Sequence, residues 1–137
     1  MKYEKEYRLY YHDTDAYGVM WHGACIKWFE ESRIEFCEKL GLTMKYLDSK
    51  GIIFPVVSVD IRYKASGFTN DVLIVETELK EVRAMKLTFS HVIKNKETGH
   101  VNILAETSVV ATDNKGKLIR HLPEEVQKAL ESALSKA

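Results

Sequence analysis

The sequence predicts an α+β domain in which one long early helix is covered by a largely antiparallel five-stranded sheet. Three observations predict it. Between Cys25 and Leu40 apolar residues recur every three or four positions, the period of a helix lying on a core. From Val57 to Ala111 the pattern switches to period two in four successive runs, the period of strands with one dry face. The breaks between those runs are shorter than the crossovers parallel strands require, so the strands turn back on one another. At 137 residues the chain is long enough to bury one real core, and it reads as a single domain over 1–137.

The elements follow in order. Lys2 to Tyr11 reads as a first strand, and the polar, turn-prone stretch HDTDAYG follows it. In the helical segment Cys25, Trp28, Phe29, Ser32, Phe36 and Leu40 form the inner stripe, while Lys27, Glu30, Glu31, Glu35, Glu38 and Lys39 take the other side. Gly41 is placed to end it, since glycine takes the left-handed conformation that closes a helix. A helical turn near Met44 to Lys50 and the apolar GIIFPVV precede the strands at Val57–Lys64, Leu73–Leu79, Leu87–Ile93 and Val101–Ala111. The breaks fall at Gly67–Asp71, near Arg83, at Asn95–Gly99 and at Asp113–Gly116. Pro123, Glu124 and Glu125 open a C-terminal helix whose inner face is Val126, Ala129, Leu130, Ala133 and Leu134.

A sheet of this kind has an open edge. Its outer face is partly apolar, since Ile74, Val92, Leu104 and Val110 fall on the opposite parity. Open edges are usually paired or covered, which predicts a homodimer joining two sheets, or a dimer of dimers.

Composition narrows the function. Twenty Lys and Arg balance twenty Asp and Glu with no basic stripe, unlike domains that track nucleic-acid phosphates. Met1 to Tyr11 is too charged for a signal peptide, and no apolar run approaches the roughly 20 residues of a membrane span, so a cytoplasmic location is expected. Cys25 and Cys37 lie on one helix about 18 Å apart, too far for a bridge, and read as buried filler. The five histidines are scattered and suggest no metal site, and no cofactor is expected.

The segment with chemistry in it runs from His12 to Arg33, HDTDAYGVMWHGACIKWFEESR. By residue type alone Asp15 is equally well a turn or helix cap and a reactive carboxylate. Asp-Thr-Asp-x-x-Gly, a histidine four residues on and the Trp-Phe-Glu helix together resemble the signature of the 4-hydroxybenzoyl-CoA thioesterase-like family. These are the hot-dog acyl-CoA thioesterases that include the Tol-Pal-associated branch. YKAS at Tyr63–Ser66, Asp71 before a strand and GKLIRHLP near the end fall where the family's weaker motifs fall, so the resemblance covers nearly the whole chain.

The resemblance implies a hot-dog fold and hydrolysis of an acyl-coenzyme A thioester with Asp15 as the catalytic carboxylate. A carboxylate can attack the carbonyl as nucleophile or take a proton from the attacking water, and the residues do not choose. Charge built on the carbonyl oxygen would fall to the first N–H groups of the long helix, around His22 to Ala24, with Gly23 easing close approach. The His22 ring would orient substrate or water, and Asp13 would fix the loop. Tyr17, Gly18 and Trp21 would shape the acyl pocket. Where many members carry Asn-Tyr this chain has Ala24 and Cys25, and Tyr17 replaces a small residue, which bears on the substrate.

The coenzyme A phosphates call for cations, and among Arg62, Lys64, Arg83, Lys86, Lys117 and Arg120 the first choices are Arg83 and Lys86. His91 shares a face with Leu87 and Phe89 and reads as a satisfied core or interface residue. Two other readings stand beside this one. A hot-dog dehydratase or hydratase would need a glycine- and proline-rich loop ahead of the helix, and the chain has only Pro55 and Pro123. A non-catalytic protein binding acyl-CoA, acyl carrier protein or an envelope partner would not need the Asp15, Gly18 and His22 set.

Overall fold

A computed structural model describes residues 1–134; the last three residues of the predicted 1–137 unit lie outside the described residues. The elements are β1 (Lys2–Arg8), a 3-10 turn (Tyr11–Asp13), α1 (Ala24–Lys39), α2 (Met44–Ser49), β2 (Val56–Tyr63), β3 (Val72–Arg83), β4 (Lys86–Asn95), β5 (Val101–Val110) and α3 (Glu124–Ser132). The five strands form one antiparallel sheet in the order β1-β3-β4-β5-β2. Only β3-β4-β5 is a meander. β1 and β2 are sequence neighbours at opposite edges, because α1 and α2 between them carry the chain across the sheet.

β1 is shorter than predicted. After Arg8 the chain turns into the 3-10 segment, where the Tyr10 N–H donates to Asp13 Oδ2 at 3.0 Å. α1 ends as predicted: Gly41 has φ +79, its N–H reaches the Glu38 carbonyl at 3.0 Å, and the Leu42 N–H reaches the Cys37 carbonyl at 2.9 Å. These are the two bonds that satisfy the last carbonyls of a helix. β3 and β4 run on to a two-residue turn at Ala84 and Met85, with Ala84 at φ +52.

The predicted stripe faces inward, with Cys25, Trp28, Phe29, Ser32 and Phe36 buried. Around one end of α1, Cys25, Trp28 and Phe29 pack with Leu73, Val75, Ile93 and Ile103. Around the other, Phe36 packs with Leu79, Leu87, Phe89 and Val109, closed by Val126 and Leu130 of α3. Full burial of each such side chain contributes about 1.5–3 kcal/mol. Between the clusters runs a polar row from three strands, Thr77, His91 and Thr107, all buried. The His91 ring stacks on Phe29, with Nδ1 3.0 Å from Thr77 Oγ1 and Nε2 3.0 Å from Thr107 Oγ1, so it is a satisfied core histidine.

One expectation about the sheet needs correction. Among the described residues the dry face of β2 is only partly covered: Ile61 packs against the cluster around Cys25, while Val57, Val59 and Tyr63 are 55%, 42% and 51% exposed. α1 lies mainly over β3 and β1, and of β2 only Ile61 and Tyr63 meet its N-terminal end. The outer face is partly apolar, as expected, and also carries ion pairs. Ile74, Val92 and Val110 there are half-buried and only Leu104 is exposed. Around them Glu76 pairs with Lys94 at 2.8 Å and Lys2 at 3.7 Å, and Lys80 pairs with Glu106.

Candidate active site

The Asp-Thr-Asp motif forms a tight hairpin. Thr14 bridges to Met20, the Asp15 N–H donates to the Val19 carbonyl at 2.9 Å, and the Gly18 N–H returns to the Asp15 carbonyl at 3.0 Å. Gly18 sits at φ +78, a conformation that costs a side-chain-bearing residue, which is the physical reason for glycine there. The Trp21 N–H donates to the Asp13 carbonyl at 2.8 Å, so the hairpin delivers the chain directly to the start of α1.

A second loop braces the hairpin. Val19 bridges to Phe68, and the Met20 N–H donates to the Gly67 carbonyl at 2.8 Å. That loop is in turn held by Asn102 of β5, whose Nδ2 donates to the carbonyls of Ala65 at 3.3 Å and Ser66 at 3.2 Å.

Asp15 Oδ1 accepts the Tyr17 N–H at 2.8 Å, which fixes the carboxylate on the turn and leaves Oδ2 without a protein partner among the described residues. No cation pairs with it among those residues. Asp13 does the local work expected of it: Oδ2 accepts the Tyr10 N–H, and Oδ1 lies 3.5 Å from His12 Nε2.

The N-terminus of α1 is bare. Gly23 is its N-cap, no side chain caps it, and its first turn holds no acid. Of the N–H groups expected to be free, that of Ala24 is spent on the Trp21 carbonyl at 3.0 Å. Among the described residues those of His22 and Gly23 meet no backbone acceptor, so the positive end of the helix is open there. The Trp21 indole lies against Gly23, so that a Cβ there would sit 2.5 Å from the ring and force it aside. The carbonyl of His22 accepts the Tyr63 hydroxyl from the end of β2. His22 itself is exposed, its ring tilted against Trp21 with centroids 5.3 Å apart.

Tyr17 is 89% exposed, and Trp21, Tyr63 and Phe68 are about half exposed, an aromatic rim beside Asp15. Tyr63, which the sequence reading did not single out, joins this candidate site through its bond to the His22 carbonyl. The parity of its strand was the available signal, since it shares a face with Val59 and Ile61 and so points to the helix side.

Arg83 and Lys86 are not brought to this rim. They face each other across the β3–β4 turn, while the Asp15 hairpin joins the sheet near Val72. Eleven residues of strand separate the two ends, roughly 35 Å at about 3.3 Å per residue. The thiols are inert: burial pushes Cys25 and Cys37 each up to about 11. A cavity of about 570 Å³ opens between α1, α2 and the sheet, walled by Ile34, Leu47, Ile52, Phe89 and Val109 with Arg33 at its side.

Comparison with known proteins gives the family and the fold. Residues 10–130 match the model of the thioesterase-like superfamily. The acyl-CoA thioester hydrolase YbgC of Escherichia coli is 31% identical over 119 residues, covering 87% of this chain and 88% of the relative. The DHNA-CoA thioesterase of Staphylococcus aureus superposes with a TM-score of 0.84 at 26% identity, over 96% of this chain and 91% of that one. A 4-hydroxybenzoyl-CoA thioesterase, solved as an Asp-to-Asn variant with 4-hydroxybenzoyl-CoA, shares the fold with a TM-score of 0.85 at 21% identity, over 94% of this chain and 98% of that one. The chain belongs to the thioesterase-like superfamily and is a thioesterase of the hot-dog fold.

Proposed function

We propose that this thioesterase hydrolyses an acyl-coenzyme A to the free acid and coenzyme A, with Asp15 acting at the thioester carbonyl and the N–H groups of His22 and Gly23 receiving the charge on its oxygen. The observation that carries the reading is the direct run from the Asp15 hairpin into an uncapped helix N-terminus, clamped by the Trp21 to Asp13 hydrogen bond. Removing one such donor from an acyl-transfer site typically costs about 3–4 kcal/mol, so the helix start ranks with the carboxylate.

In one route Asp15 attacks the carbonyl carbon, the C–S bond breaks, the thiolate leaves and is protonated, and water opens the anhydride. In the other Asp15 takes a proton from water, the hydroxide attacks, and that proton goes to the departing thiolate. The acyl-CoA hydrolase named among the relatives supports the substrate class. The substrate complex of the 4-hydroxybenzoyl enzyme is of an Asp-to-Asn variant, which suits a carboxylate whose removal spares the thioester.

The site is completed by a second copy. β2 leaves backbone groups and valines open at the sheet edge, the kind of edge that pairs with a twin. Two identical strands related by a two-fold axis across the sheet pair antiparallel, so the Tyr63 end of one lies beside the Val56 end of the other. That geometry brings the turn bearing Arg83 and Lys86 to the end of the dimer where the other chain holds Asp15, as the coenzyme A phosphates require. Tyr17, Gly18 and Trp21 then line the mouth, and action in the cytoplasm follows from the substrate.

The test is release of coenzyme A thiol from acetyl-, hexanoyl-, palmitoyl- and 4-hydroxybenzoyl-CoA by the wild type and by Asp15→Asn. Turnover by the wild type alone supports the reading. Equal turnover by both overturns the role of Asp15, and silence across the panel overturns the substrate class.

A further inference from the structure

The peptide unit between His22 and Gly23 is gripped from both sides. On one side the Trp21 indole lies against the Gly23 Cα, where a Cβ would come within 2.5 Å of the ring. On the other the Tyr63 hydroxyl donates to the His22 carbonyl. Tyr63 reaches it from the helix side of β2, beside the buried Cys25. Glycine at the junction would otherwise leave this peptide the freest in the segment.

We infer that Tyr63 is a positioning residue of the thioesterase site, acting through the His22 carbonyl on the N–H of Gly23. This rests on the proposed use of that N–H. A hydrogen bond to the carbonyl of a peptide polarises the whole unit, so the N–H at its other end becomes a stronger donor, and it removes the rotation that would swing that donor off target. Tyr63 need not touch the substrate to do this. The hydroxyl's other neighbour is the Cys25 thiol, which itself reaches the His22 carbonyl at 3.7 Å, and a phenylalanine ring in the same place keeps the packing around them.

The experiment uses Tyr63→Phe, which keeps the ring and deletes the donor. The expected result is a kcat lowered about tenfold with KM and melting temperature held, and an upfield shift of the His22 carbonyl carbon and Gly23 amide nitrogen in the NMR spectrum of the unliganded protein. Tyr63→Leu, which also removes the ring, should show the same two resonance shifts.

Unchanged His22 and Gly23 resonances in Tyr63→Phe would overturn the contact whatever the activity. Shifted resonances with wild-type kcat would overturn its role, and a raised KM at constant kcat would make Tyr63 a substrate contact instead. The site reading fails separately, through full activity of Asp15→Asn, and the resonances still report the hydrogen bond in that case.

Discussion

Acid should loosen this fold through one side chain. His91 lies at mid-sheet under α1, stacked on Phe29 with centroids 4.5 Å apart and held between Thr77 and Thr107. Burial, with the Arg33 charge adding to it, pushes its pKa down to about 3. In the unfolded chain it titrates at about 6.5. A group whose folded value lies below its unfolded one contributes stability that is complete above the unfolded value and is lost as pH falls toward the folded one. Below about pH 6.5 the unfolded chain holds one proton more, and each pH unit costs up to about 1.4 kcal/mol. From pH 7 to pH 5 the loss integrates to roughly 2 kcal/mol. Glu76 is desolvated, yet Lys94 and Lys2 hold it below the ordinary carboxylate range, so its own contribution fades only at lower pH. The assay is the urea midpoint at pH 7, 6 and 5 at one protein concentration, for the wild type and His91→Gln. The variant should start less stable and lose far less on acidification. Parallel curves for the two proteins would refute the assignment.

Gly23→Ala should lower kcat with little change in melting temperature, because its Cβ would push aside the half-exposed Trp21 ring that lies against this peptide; steady-state kinetics beside a thermal melt check it. Asn102→Ala deletes the two bonds that hold Ala65 and Ser66 and should cost about 1–2 kcal/mol in urea denaturation, with activity lost sooner than structure as the brace of the Asp15 hairpin loosens. Val59→Lys puts a charge on the exposed apolar face of the edge strand β2 and should shift the species seen by sedimentation to a monomer.

How far the sequence was readable depended on whether a feature was local. The stripe from Cys25 to Phe36, the stop at Gly41 and the alternation of β3 to β5 are set by periods of 3.6 and 2, and each sits where its period put it. The place of β2 at the edge was not readable, because its alternating valines look like those of a covered strand. What leaves them bare is a topology that lays most of α1 over β3 and β1, so that only Ile61 and Tyr63 of β2 meet its start. That Asp15, Gly18 and Gly23 would lie together was legible because they share one short hairpin and the helix it enters. Tyr63 meets His22 across 41 positions, through sheet register alone. The two roles weighed for Asp15 also turn out to be compatible, since one oxygen serves the turn and the other stays open.

Arg83 and Lys86 pose the sharpest question about the assembly, because within a chain about 35 Å of strand keeps them from Asp15. If β2 edges pair about a two-fold axis, each site draws its carboxylate from one chain and its phosphate-binding cations from the other. Mixing then reads the geometry. A chain with Asp15→Asn and a chain with Arg83→Ala and Lys86→Ala should each be nearly inactive at low substrate. In a hybrid dimer one site has lost both groups and the other has kept both. Random pairing makes half the dimers hybrid, and each hybrid holds one working site of two, so about a quarter of wild-type activity should return. Sites built within single chains would return none, since every Asp15 would then still lie with the wrong cations. The recovery therefore depends on which chain supplies each group and not on stability, because both parents are changed only at exposed or half-exposed positions that leave the two core clusters untouched.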